Sequence, residues 1–71
     1  MNYDEVKDKE GKPVKLFLKT NSAFFYGIYT VINTNTISFT DRKKENFPID
    51  IDFIGMIQPV DKINYIGENN G

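Results

Sequence analysis

Arg42, Lys43 and Lys44 stand side by side and form the one basic cluster in the chain. Repeated phosphate contacts at such a cluster give nucleic-acid binding, and its affinity falls as salt is added. Asp41 and Glu45 flank it, which equally suits a solvated hairpin tip. Asn33, Thr34, Asn35 and Thr36 present amides and hydroxyls that can read base edges or sugars without charge. The same residue types also build turns.

Phe17, Phe25, Tyr26 and Tyr29 are more aromatics than a small one-sided core needs, so some of them must face outward or line an interface. Outward rings stack bases at roughly 1–3 kcal/mol each. They equally bury against a neighbouring subunit or form a peptide-binding cage. Asp50 and Asp52, two apart on one strand face, could hold a hard cation through oxygen. No further ligands accompany them, and a solvated outer face is the simpler reading.

The residue inventory excludes much. The chain has no histidine and no cysteine, which removes the commonest general base, thiolate zinc sites and disulfides. No nucleophile–base pair or phosphate-cradling glycine loop is visible. The expectation is therefore no enzyme, no catalytic residue, no metal ligand and no cofactor. Nine Lys and Arg against ten Asp and Glu leave a net charge of −1, so nucleic-acid contact must come from a local patch or its repetition in an oligomer. No apolar run approaches the ~20 residues that span a bilayer, and Met1-Asn2-Tyr3-Asp4 does not open a signal peptide. A cytoplasmic protein with no membrane contact is expected. Usage rich in Asn, Lys and Ile hints at an AT-rich microbial or phage genome.

The elements that position these residues are short runs rich in β-branched and aromatic side chains, bounded by turn formers. Residues 1–71 make one domain, with a core over 13–60 and a tail over 61–71. Tyr3, Val6 and Lys7 have the spacing of one helical face, leaving room for a short N-terminal helix that Gly11 ends. Pro13 opens a first strand in which Val14, Leu16 and Leu18 point to the core. Thr20-Asn21-Ser22 makes a turn into a long second strand, Ala23 to Asn33, with Gly27 marking a sharp bend or bulge. Ile37 and Phe39 are the inward pair of the third strand. Phe47, Ile49 and Ile51 alternate with Pro48, Asp50 and Asp52 in a fourth, and Ile54 to Gln58 is the fifth, stopped by Pro59. The fold class is all-β: a small, five-stranded, strongly bent antiparallel barrel.

The string from Gly11 to Lys19, then Tyr26-Gly27-Ile28-Tyr29, Ile32-Asn33 and Thr36-Ile37-Ser38-Phe39, ending in Ile54-Gly55-Met56-Ile57-Gln58-Pro59, resembles the Sm/LSm family, including its Hfq-like branch. The same pattern fits other SH3-like barrels. The resemblance implies that Gly27 lies in the bent second strand and that Asn33, where the family usually has Asp, faces a central pore. Asp50-Ile51-Asp52 stands where Hfq-type chains have Tyr-Lys-His, which reverses the charge, and Asn35 replaces a base-stacking aromatic.

An open five-stranded barrel leaves unpaired main-chain groups on two edge strands, and pairing the fourth strand of one copy with the fifth of the next closes a ring. The resemblance implies a homo-oligomeric ring of about five to seven subunits. Phe47, Ile49, Ile51, Ile54 and Ile57 are the expected interface residues. Single-stranded RNA is the expected ligand, met by Asn33, Thr34, Asn35 and Thr36 with help from Arg42, Lys43 and Lys44. The alternative is an SH3/Tudor-like protein-interaction or assembly module that uses its aromatic face.

Overall fold

The computed structural model describes residues 1–21 and 23–65. Ser22, expected in the first turn, and the tail residues Ile66 to Gly71 lie outside the described residues. The chain forms a helix α1 (Tyr3–Asp8) and strands β1 (Val14–Leu18), β2 (Phe24–Asn33), β3 (Thr36–Asp41), β4 (Asn46–Asp50) and β5 (Ile54–Pro59). One antiparallel sheet takes the order β4-β3-β2-β1-β5. The expected all-β class, five strands and short N-terminal helix are all present.

β2 belongs to both halves of the sheet. Its first residues pair with β1 and its later ones with β3, and Gly27 sits at the changeover, opposite both Val14 and Asp41. A Cβ on Gly27 would lie 2.1 Å from the Thr40 carbonyl oxygen and 2.8 Å from the Phe39 ring. Glycine is needed there for close approach of β3. The expected bulge is elsewhere: the register shifts fall between Val31 and Asn33 and between Phe17 and Leu18.

Alternation sends Val14 and Leu16, Tyr29, Ile37 and Phe39 into one core with Ile54 and Ile57. Of the four aromatics, Tyr29 belongs to the core, where it is only 1% exposed. The fourth strand is shorter than expected. It stops at Asp50, and Ile51–Phe53 turn as a single 3-10 helix that the Asp50 side chain caps through the Asp52 N–H. Ile51 therefore reaches the core from a turn.

Six residues are too few for a stable isolated helix. α1 is held by a capping box between Asn2 and Glu5 and by the fully buried Val6. The Tyr29 hydroxyl donates to the Val6 carbonyl oxygen at 2.5 Å. Beyond the end of β1, the overhanging edge of β2 is satisfied by the N-terminal segment. Gly11 N–H donates to the Tyr29 carbonyl at 2.9 Å, and the Glu10 carboxylate accepts from Val31 N–H at 2.9 Å. That bond, with the Lys7 ammonium 2.9 Å away, holds the Glu10 carboxyl below its ordinary value.

Gly27→Ala is expected to cost roughly 2–3 kcal/mol of stability in urea unfolding, because backbone and ring must both move. Burial, with the Glu10 and Asp8 charges nearby, pushes the Tyr29 phenol up to about 12. Its contribution is then full below the ordinary value of 10.0 and lost as pH rises through about 12. Denaturation midpoints across that window should fall for the parent chain and fall less for Tyr29→Phe, which also loses about 1 kcal/mol at neutral pH with its hydrogen bond.

Candidate functional site

The two groups expected to meet one ligand lie at opposite ends of β3. Asn33–Thr36 form the turn that enters this strand, and Arg42–Lys44 the turn that leaves it. Its six residues separate them by ~17 Å at the usual rise per residue. Within one subunit they do not form a common site.

The Asn33–Thr36 turn is internally engaged. The Asn33 side chain accepts from Asn35 N–H at 2.8 Å, and the Asn35 carbonyl accepts from Ile51 N–H at 2.8 Å. Asp50 stands across from Thr36 in the register. This end of the sheet is therefore polar and acidic, which repels phosphate. Among the described residues, no group of three potential ligands comes together to hold a metal ion.

The other turn is organised by Asp41. One carboxylate oxygen accepts from Lys43 N–H at 2.9 Å and from Glu45 N–H at 3.0 Å, and the Asp41 carbonyl accepts from Lys44 N–H at 3.0 Å. Lys44 takes a left-handed φ of 66° to close the turn and lies 5.2 Å from the Tyr65 ring centroid. Arg42 is directed back over the sheet, 5.6 Å from the ring centre of Tyr26.

Arg42 there joins a surface the sequence did not single out as a unit. Neighbours in β2 alternate, so Phe25 packs inward against Phe39 and Phe47 while Phe24 and Tyr26 face outward. Opposite them in the register stand Phe17 and Lys15 of β1, and then Met56 and Gln58 of β5. Ring centroids are 5.8 Å apart for Phe17–Phe24 and 5.9 Å for Phe24–Tyr26. The Lys15 ammonium lies 4.3 Å from the Phe24 centroid, 5.0 Å from that of Phe17 and 5.5 Å from that of Tyr26. Phe24 is 49% exposed and Met56 47%. Beside them, Tyr26, Asp41, Arg42 and Lys43 border an open depression of about 310 Å³.

A half-exposed Phe24 beside the partly buried Phe17 and Tyr26, with two cations close to the rings, offers ring surface and phosphate contacts together. One signal in the sequence points to this surface: residues sharing the parity of Gly27 face the core, so Phe24 and Tyr26 must face away.

Compared with protein-family models, curated proteins and solved structures, the chain matches none of them.

The residues expected at a subunit interface fill this subunit's own core. Ile49, Ile51, Ile54 and Ile57 are buried, and Phe47 packs on Phe25 and Phe39. The edge strands leave a neighbour their outward main-chain groups and, on β5, the exposed Met56.

Asp41→Ala leaves two turn amides without their acceptor, so a loss of about 1–2 kcal/mol is expected in thermal unfolding. Lys44→Gly should recover about 1 kcal/mol by relieving the left-handed backbone.

Proposed function

We propose that this protein binds single-stranded nucleic acid, RNA in the first place, on the outward face of β1 and β2, as a subunit of an Sm-like homo-oligomer in the cytoplasm. The observation that carries the reading is the cluster of Phe17, Phe24 and Tyr26 under Lys15 and Arg42. Its chemistry suits unpaired bases: rings for their faces, cations for the phosphates between them. Lys43, on the rim of the adjoining depression, extends the positive surface. The chain's overall charge gives no general attraction to nucleic acid, so repetition of the patch supplies avidity.

The strand order supports assembly. β4 and β5 are the two margins of the sheet and do not pair with each other, which leaves edge groups for a head-to-tail contact between copies. The resemblance to Sm/LSm chains favours the same arrangement.

A second reading, a protein-interaction module, rests on a separate feature. Leu18, Phe25, Phe47, Ile49 and Phe53 line an apolar groove of about 360 Å³ beside β4, and a groove beside a free edge suits an added peptide strand.

Fluorescence anisotropy with U-rich and A-rich oligonucleotides at low salt distinguishes the two. Binding that weakens with salt, and weakens at least tenfold in Phe24→Ala/Tyr26→Ala, is the expected result. Lys15→Met should lower the salt slope by about one. No binding to either oligonucleotide rejects the nucleic-acid reading.

A further inference from the structure

The hydrogen-bond parity of the sheet decides which main-chain groups meet solvent at its two margins. Between β3 and β4, the Asp41 N–H at the end of β3 donates to the carbonyl of Glu45, just before β4, and the register runs on without a shift through Phe39–Phe47 and Ile37–Ile49. Bonded pairs alternate along an antiparallel ladder. Phe47 and Ile49 therefore turn their groups toward β3, while Asn46, Pro48 and Asp50 turn theirs to the free edge. Pro48 has no N–H, so the middle of that edge shows a carbonyl and no donor.

β5 reads the same way. The Val60 N–H donates to the Pro13 carbonyl at 3.1 Å, so Gln58 and Met56 face β1, and Ile57 and Pro59 face outward. Ile57 presents both of its groups, and Pro59 only a carbonyl.

We propose that Pro48 is the residue that governs addition of a second copy of this chain at the β4 edge. It breaks the row of donors, so that the copy's β5 cannot lay down a continuous ladder there. The occupant follows from the two margins. The outward N–H and C=O of Ile57 complement those of Asn46. Opposite Pro48 the Ile57 carbonyl finds no donor, and with Ile57 opposite Asp50 the antiparallel register sets Pro59 against Pro48, two carbonyls with no donor between them. One register, Ile57 opposite Asn46, is thereby favoured. The apolar groove behind β4 gives the added strand a surface to bury. A proline that faces outward on an edge strand limits open-ended strand pairing. The contact between copies is thus kept specific in register and modest in strength. This inference rests on the strand margins and stands apart from nucleic-acid binding.

Sedimentation velocity of the full chain and of Pro48→Val over a range of concentrations tests it. The substitution restores one edge donor, worth about fivefold in association per interface, so larger species should appear at lower concentration. An unchanged distribution, or weaker association, overturns the proposal. Pro48→Ala adds a second readout through its new amide. By hydrogen exchange that amide should be unprotected in the dilute chain and protected once copies associate. Protection in the isolated chain shows that position 48 faces inward and ends the proposal. A monomeric parent chain that associates as Pro48→Val supports the role of Pro48 and counts against the oligomer of the preceding section.

Discussion

The contact between Gly27 and the backbone of β3 is the constraint on which the rest of this structure depends. Because β3 crosses at a distance that no side chain tolerates, β2 can leave β1 and pair with β3 within one continuous strand. That shared strand bends the sheet around Tyr29, Phe39 and Ile37. The bend leaves an overhang on β2 that β1 cannot reach, and the N-terminal segment covers it through Gly11, Glu10 and the Tyr29–Val6 bond. A short helix that would not persist alone thus becomes part of the core. A chain this size buries only roughly 60% of its unfolded surface, so the helix's one buried valine and its few hydrogen bonds matter.

The same constraint assigns the aromatics. Parity with Gly27 directs Phe25 and Tyr29 inward, and the alternate residues Phe24 and Tyr26 outward beside Phe17. One ring cluster becomes core. The other becomes a surface over which Lys15 and Arg42 are held by their own strand and turn. The acidic end of the sheet, with Asp50 beside Thr36, lies a strand length away. Positive and aromatic character is therefore concentrated at the opposite end, and the small negative net charge does not prevent a local attractive field.

Much of the fold could be read from residue order. Period-two alternation gave the strands, Gly27 marked the place where β2 changes partner, and turn residues gave the connections. The departures have physical causes. Ile51 continues the alternation of Phe47 and Ile49, yet Asp50 caps a 3-10 turn that takes it out of the strand. The sequence does not tell Tyr29 from the other aromatics, because its partner, the Val6 carbonyl, comes from a segment 23 residues away. The spacing of Asn2 and Glu5 is that of a capping box, a signal for the helix start that the face spacing of Tyr3, Val6 and Lys7 does not carry. The outward aromatic surface is only partly legible in the sequence: Lys15, Phe17, Tyr26 and Arg42 stand out as residues, but their convergence depends on the β1–β2 register and on the Asp41 turn that directs Arg42 over Tyr26. Asn33–Thr36 and Arg42–Lys44 lie close together in the chain, and β3 holds them apart.

The proposed ligand would lay unpaired bases on the outward rings of β1 and β2. Amide and aromatic chemical-shift mapping by NMR, during titration with an oligouridylate at low salt, tests it most directly. The largest shifts are expected at Phe17, Phe24 and Tyr26 and at the neighbouring Lys15 and Arg42, with the Phe25–Phe39–Phe47 cluster unmoved. Shifts confined to Asn33–Thr36, or none at saturating oligonucleotide, contradict it.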